Sequence, residues 1–331
     1  MSLVVIVSGF WGDEGKGKVA SHLALKDRPR IAVRTGSVNA GHTVVYEGRT
    51  YKLRLTPSAF INPTTQLRIG AGANIDVKVL KSEVEGLGLK ARLKVDGNAS
   101  VIEERHVLAD KGDEFLRGVV ETTGTGVGPC VADRVMRKAK LAKDVEEIRG
   151  MTTDVSEEVN SALDSGETVH LEGSQGFYLS LYHGTYPFVT GRDTTTAAVL
   201  SEVGVSPRRV TDVILVLKSF VTRVGKGPLP GEVDPSEAER RGWVETATVT
   251  GRPRRAAPFN IDLAKRSAIV NGATSLAITK VDVCFPECAH AKEKKQLSER
   301  CLKFVGDVEE GVGIPVKWVG TGMEVEDIVE L

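Results

Sequence analysis

An α/β fold built on a central, mostly parallel sheet is predicted for this chain of 331 residues. Three observations carry the prediction. Short apolar runs rich in β-branched residues alternate with segments of helical periodicity. A glycine-rich loop joins the first apolar run to the first helical one, the strand–loop–helix setting of a phosphate cradle. Further loops of Gly, Thr and Arg follow directly after later apolar runs, where open parallel sheets hold their ligands.

The elements follow in order. Strands are read at 3–8, 31–33, 168–171, 213–217, 275–279 and 316–319, each short and apolar as a strand covered on both faces must be. Helices are read at 16–25, 74–85, 194–203, 235–241, 260–271 and 324–330. Tyr46 to Tyr51 reads as a hairpin turning at Glu47-Gly48. The polar stretch 141–167 is assigned to surface helix. No internal repeat or low-complexity linker interrupts the pattern, so residues 1–331 are read as one domain with inserted loops and small hairpins.

Composition narrows the function classes. Hydrophobic residues make up 41% and charged residues 27%, with a formal net charge of zero and no long basic run. Nucleic acid and anionic membranes are therefore not expected partners. The start of the chain lacks a basic segment followed by an apolar core, and no apolar run is long enough to span a bilayer. A cytoplasmic location is expected. Cys284, Cys288 and Cys301 cluster near His290, but the spacing matches no familiar zinc pattern, and ordinary thiols are expected.

The loop Gly12-Asp13-Glu14-Gly15-Lys16-Gly17-Lys18 fits G-x-x-x-x-G-K. Its glycines let backbone N–H groups close on phosphate oxygens at a helix N-terminus. The next residue is Val19, not the Ser or Thr that usually holds Mg²⁺, and a carboxylate, Asp13, sits inside the loop. An acid beside a triphosphate needs a purpose: contact with a metal, or removal of a proton from a second substrate.

Further loops add candidates. Asn39-Ala40-Gly41-His42-Thr43 carries a histidine that would titrate near neutrality and could donate a proton to a leaving phosphate. Thr123-Gly124-Thr125-Gly126-Val127-Gly128 has the make-up of an anion nest, with Asp133 to Arg137 read as the start of a helix bearing guanidinium groups. Gln175 carries a donor and an acceptor suited to a purine edge. Thr190 and Gly191 precede a run of threonines at a helix start. Thr248-Val249-Thr250-Gly251-Arg252-Pro253-Arg254-Arg255 gathers rigid forks that suit a dicarboxylate or phosphate. Thr279-Lys280-Val281-Asp282 has the form [NT]-K-x-D. A carboxylate there accepts from guanine N1–H and the 2-amino group, a donor pair adenine lacks, so GTP is expected over ATP.

Taken together, these motifs closely resemble the adenylosuccinate synthetase family. The similarity runs in the family's order over nearly the whole chain, through Trp11 to Lys18, Asn39 to Thr43, Thr123 to Pro129, Glu172 to Gly176, His183 to Pro187, Thr222 to Pro228, Thr250 to Arg255 and Thr279 to Asp282. The resemblance implies that GTP, IMP and L-aspartate give adenylosuccinate, GDP and phosphate, with Mg²⁺, through 6-phosphoryl-IMP. It implies Asp13 as the base that takes the IMP N1 proton and as a metal ligand with the Gly41 carbonyl. His42 would be the acid at the departing phosphate, with Lys16 and Gln175 also in the catalytic group.

For GTP the resemblance implies Gly12, Glu14, Gly15, Lys16, Gly17, Lys18, Gly41, His42, Thr43, Lys280, Asp282, Gly320 and Gly322. For IMP it implies Asp13, Asn39, Thr123, Gln175, Thr190, Val224 and Arg252, plus Arg137 reaching across a homodimer. For aspartate it implies Thr248, Thr250, Gly251, Arg252 and Arg254. The chain departs from the family at Phe10, where a polar Gln is frequent, and at Thr125, where an arginine is common; it is also shorter than most members. Two other readings are weighed: a paralogue that aminates another 6-oxopurine nucleotide such as dGMP, and a GTP-binding switch without ligase chemistry.

Overall fold

A computed structural model describes residues 2–247 and 251–331. Its main sheet has ten strands. Across the sheet they run Ile328–Glu330, Val316–Gly320, Ser275–Thr279, Asp212–Lys218, Ser2–Ser8, Thr168–Glu172, Ile31–Arg34, Gln66–Ile69, Leu93–Asp96 and Thr152–Thr153. Neighbours are parallel, except that Ile328–Glu330 runs antiparallel to Val316–Gly320. The central strands are buried almost throughout, because helices cover both faces and leave no side for polar residues.

The chain starts in the middle of this sheet. It works outward to Thr152–Thr153, returns to insert Thr168–Glu172 beside the first strand, then builds the other half. Ser2–Ser8 therefore lies between Thr168–Glu172 and Asp212–Lys218. Where strand order reverses, the loops at the carboxyl ends diverge and open a crevice. The loops starting at Gly9, Thr35, Gly173, Ser219, Lys280 and Thr321 all leave the sheet at that edge. Two antiparallel ribbons flank it. His42–Tyr46 pairs with Arg49–Leu53 through the expected Glu47-Gly48 turn, and Phe220–Val224 pairs with Arg254–Pro258.

Several sequence expectations are corrected. The helix read at 74–85 begins at Val77, with Asp76 accepting from the Lys78 and Val79 N–H groups; Asn74–Ile75 is a short strand. Residues 324–330 are a turn and an edge strand, since the apolar Ile328 and Val329 are buried against Val316–Gly320. Asp133 to Arg137 ends a helix, Val127–Val135, instead of starting one, and Arg137 has a left-handed φ of 62°. The stretch 141–167 holds 3₁₀ turns, a short strand and the helix Val155–Asp164, and it buries Ile148, Val155 and Val159. Strands Gln66–Ile69 and Leu93–Asp96 and the long helix Glu299–Val312 were not anticipated.

Candidate active site

The phosphate-type loop is shaped by backbone conformations that few residues tolerate. Gly12, Asp13 and Gly15 have φ of 91°, 64° and 83°. Asp is among the few side chains that enter this region at modest strain. Glu14 folds back so that its Oε1 accepts the Gly12 N–H at 2.9 Å. Its carboxylate is buried, which pushes its pKa up, and Thr279 Oγ1 donates to its carbonyl at 2.7 Å. Helix Lys16–Asp27 starts here with neither a side-chain cap nor an acid in its first turn, so its N-terminal N–H groups and positive potential are left for an anion.

A second loop clasps the first. A Cβ on Gly176 would lie 2.1 Å from the Gly12 nitrogen and 2.5 Å from the Phe10 carbonyl oxygen, so only glycine allows the Gly173 to Gly176 turn to pass. Lys16 joins them: its Nζ donates to Ser8 Oγ at 2.5 Å and to the Gln175 carbonyl. Burial lowers the Lys16 pKa, with Glu14 and Asp13 opposing that shift. Gln175 Oε1 is buried and finds no partner among the described residues.

His42 begins its strand directly after Gly41. Its Nδ1 lies 2.5 Å from Glu172 Oε1, and Glu172 also accepts from Ser58 N at 2.7 Å and Ser58 Oγ at 2.6 Å. The expectation that His42 titrates near neutrality is corrected: burial, reinforced by the nearby Arg34 guanidinium, pulls its pKa down to about 3. Burial pushes Glu172 up, but the His42 hydrogen bond, the Arg34 charge and the Ser58 hydrogen bond outweigh it and hold the carboxyl below its usual range. The free site therefore contains a neutral imidazole whose Nδ1–H donates to a carboxylate. Its Nε2 is buried without a partner among the described residues, as is Asn39 Oδ1 on the same wall.

The opposite wall carries the arginines. The Phe220–Val224 and Arg254–Pro258 ribbon sets Arg254 beside Val224. Arg254 is almost buried, with one terminal nitrogen 2.9 Å from Asp13 Oδ2 and the other 2.6 Å from Glu245 Oε2. Arg252 donates to the Glu121 carbonyl at 3.1 Å and lies 3.8 Å from its carboxylate. Thr123 Oγ1 is 2.9 Å from Thr125 Oγ1. Gly251 is exposed, with a φ of 66°. Thr248 and Thr250 lie outside the described residues.

The far end carries the [NT]-K-x-D segment. Asp282 Oδ1 is buried without a partner among the described residues. Lys18 turns to this end: its Nζ donates to the Gly322 and Asp327 carbonyls at 2.7 and 2.6 Å. Burial lowers its pKa to about 8, against the pull of Asp327 and Asp282. Gly322 has no room for a side chain, since a Cβ would lie 2.3 Å from Asp327 Oδ2. Gly320 is similarly close-packed on Lys18 Nζ and Thr279.

These walls enclose a cavity of about 810 Å³. It brings together Gly12, Asp13, Gly15, Lys16, Gly17, Lys18, Asn39, Gly41, His42 and Thr43 from the first half of the chain. From later segments come Thr123, Gln175, Thr190, Val224, Arg252, Arg254, Lys280 and Gly322. Glu14, Asp282 and Gly320 are not part of its lining, nor is exposed Gly251, and Arg137 stands exposed away from it.

Three residues escaped the sequence analysis. Arg223 is buried and donates to Thr185 Oγ1, Pro228 O and Phe188 O at 2.7–2.9 Å, holding the 183–188 loop beside Trp11. Its position in the Thr222 to Pro228 motif was the available signal. Asp110 accepts the Gly126 N–H at 2.8 Å and leaves its second oxygen unpartnered among the described residues. Glu245 bridges several cations. Nothing local marks either acid.

A hard divalent cation fits this chemistry. Asp13 supplies a carboxylate and Gly41 a carbonyl on the same cavity, whereas no cluster of three or more His, Cys, Asp or Glu side chains suited to a metal occurs among the described residues. Mg²⁺ is commonly held this way, by one or two protein oxygens with substrate phosphates and water completing the octahedron.

Comparison with known proteins follows the same lines. The sequence profile of the family described as adenylosuccinate synthetase matches residues 5–147 and 138–287. The chain is 49% identical to the adenylosuccinate synthetase of Archaeoglobus fulgidus, covering all of this chain and 98% of that protein. It is 47% identical to the one from Methanocaldococcus jannaschii, with 100% and 97% covered. A fully ligated adenylosuccinate synthetase from Plasmodium falciparum superposes over the full length of both chains, with a TM-score of 0.93 at 24% identity, and so shares the fold. A cyanophage S-2L succinoaminodeoxyadenylate synthetase bound to dGMP and dATP superposes with a TM-score of 0.83 at 26% identity, covering 99% and 95%.

Proposed function

From a chain that belongs to the adenylosuccinate synthetase family, we propose how the individual residues of the cavity divide the work. The reaction is the GTP-dependent ligation of L-aspartate to IMP, giving adenylosuccinate, GDP and phosphate. The observation that carries the assignment of roles is the Asp13–Arg254 pair. It joins a carboxylate inside the phosphate loop to the arginine loop suited to a dicarboxylate, within one cavity.

The lactam oxygen of IMP is a poor nucleophile until N1 loses its proton. Asp13 takes that proton, and O6 attacks the γ-phosphate held by the Gly12 to Lys18 loop. The aspartate amine then displaces phosphate from 6-phosphoryl-IMP. Lys16, fixed by Ser8 and Gln175, places a buried cation beside the transferred group. Such transfer depends on position and charge neutralisation more than on covalent chemistry. His42 meets the β/γ bridge through Nε2. Triphosphate charge favours the imidazolium, and Glu172 on Nδ1 holds the ring in place for proton donation. Mg²⁺, held by Asp13 and the Gly41 carbonyl, would neutralise phosphate charge.

Lys280, Asp282 and the Gly320 to Gly322 turn read guanine. Asn39, Thr123, Gln175, Thr190, Val224 and Arg252 surround IMP, while Arg252, Arg254, Gly251, Thr248 and Thr250 grip aspartate. Exposed Arg137 directly follows exposed Val135 and Met136, an apolar surface suited to a second copy. We read a homodimer in which Arg137 reaches the neighbour's IMP. Strands from Ser2 to Glu330 share one sheet, which supports one domain over 1–331. No helix among the described residues is long and apolar enough to cross a membrane, and a cytoplasmic location is part of this proposal.

The test is the absorbance change on mixing GTP, IMP, aspartate and Mg²⁺. Asp13→Asn and His42→Asn are each expected to lower turnover by about 10³-fold; near-normal rates would mean the roles are misassigned. The dGMP-bound cyanophage structure keeps one alternative open, and turnover with dGMP but not IMP would establish it. Slow GTP hydrolysis indifferent to IMP and aspartate would instead mark a switch protein.

A further inference from the structure

Glu245 belongs to none of the phosphate, purine or aspartate motifs, yet it lies at the centre of the charge network. Its Oε2 is 2.8 Å from Lys218 Nζ and 2.6 Å from an Arg254 terminal nitrogen, and its Oε1 is 3.5 Å from Lys280 Nζ. Lys218 ends the Asp212–Lys218 strand and is buried. Its ammonium donates also to Thr222 Oγ1 at 2.6 Å and stands 4.7 Å above the Phe220 ring. The Glu245 carboxylate is thus anchored from below by a buried lysine that Thr222 and Phe220 hold in place.

Arg254 is held at both ends. One terminal nitrogen is on Glu245 and the other on Asp13, while its Nε is buried with no acceptor among the described residues. A guanidinium is planar, so fixing two of its nitrogens fixes the direction of the third. Without Glu245, both terminal nitrogens of Arg254 could close on Asp13 as a bidentate pair, the arrangement a carboxylate favours. The arginine would then turn its Nε away and tie up the base.

We infer that Glu245, anchored by Lys218, is a positioning residue for the amino-acid substrate: it sets the rotation of Arg254 so that one edge rests on Asp13 and the Nε–H is left for a substrate carboxylate. This rests on the reading of the arginine loop as the aspartate site.

The experiment measures KM for aspartate, IMP and GTP, together with Tm, in Glu245→Gln and in the double variant Lys218→Met/Glu245→Gln. The single variant strands a buried ammonium and is expected to lose stability. The double variant removes both charges and should recover Tm. If Glu245 positions Arg254, the KM for aspartate rises about tenfold or more in both, while KM for GTP and IMP stays within about threefold. The decisive feature is that the raised KM persists when Tm returns. An aspartate KM near wild type in either variant, a recovery of KM along with Tm, an equal rise for all substrates, or failure of the double variant to fold would each overturn the proposal. Absence of adenylosuccinate formation by the wild-type chain would overturn the reading of the site instead.

Discussion

The two ends of the cavity are built differently. At the end built from the Gly12–Lys18 loop and the Thr279–Asp282 segment, backbone from four separate loops interlocks and several polar side chains are engaged with main chain. Glu14 closes on Gly12, Lys16 on Gln175, Thr279 on Glu14, and Lys18 on Gly322 and Asp327. At the arginine-loop end, side chains pair with one another: partly exposed Arg252 and Lys226 with Glu121, and nearly buried Arg254 with Asp13 and Glu245. The first end is shaped by the protein's own main chain. The second keeps its charges in exchangeable pairs, where a substrate carboxylate or phosphate can replace a protein one. Preorganised dipoles suit a group whose charge is transferred, because they need no rearrangement at the moment of reaction. Exchangeable pairs suit substrates that must enter and leave.

The comparison can be broken most directly at Gly176. Gly176→Ala places a methyl 2.1 Å from the Gly12 nitrogen, where backbone cannot yield cheaply. Turnover should fall by about 10²-fold or more, since a displacement of ~1 Å in a positioned loop has that effect. Wild-type turnover would show that the interlock is loose.

Next is Asp282→Asn. The carboxylate oxygen buried without a partner among the described residues is replaced by an amide that both donates and accepts. KM for GTP should rise by roughly tenfold to a hundredfold, and XTP, whose C2 carbonyl accepts, should become usable. Unchanged GTP preference would remove Asp282 from base recognition.

On the exchangeable side, Arg252→Leu should raise the aspartate KM about tenfold with kcat less affected, since this arginine is partly exposed and screened. A pure kcat loss would mean that the pair acts in the chemical step.

The smallest effect expected is a pH limb. Lys18 has its pKa lowered to about 8, so raising pH through that value removes the charge that holds the Gly322 and Asp327 carbonyls. KM for GTP should climb by about two- to threefold across that range, and Lys18→Arg should flatten the climb. His42 offers a matching NMR check: its imidazole should stay neutral down to about pH 3 in the free protein and titrate higher once GTP and IMP are bound.

Much of the fold was legible because its signals are local. The runs at 3–8, 213–217 and 275–279 are apolar in every position that matters, and burial in the sheet followed. The Glu47-Gly48 turn formed where a positive φ was demanded at both positions. The misread segments lack such signals. Gln66–Ile69 alternates polar and apolar residues, and its buried Arg68 is satisfied by Glu158, which comes from a distant helix, and by the Leu67 and Arg92 carbonyls. Ile328 and Val329 read as a helical stripe until their partner strand is known.

The division is the same at the site. Residue types and spacing along the chain were enough to single out the Gly12–Lys18 loop, the Thr279–Asp282 segment and the arginine loop as candidates, because glycine conformations and hydrogen-bonding patterns belong to a few consecutive residues. Folding settled the rest: that His42 meets Glu172 across 130 positions and loses its neutral-range titration, that Lys18 turns to the Gly322 and Asp327 carbonyls, and that Arg254 rests between Asp13 and Glu245. Burial and charge proximity depend on which distant segments share a volume, and no short stretch of sequence contains that information.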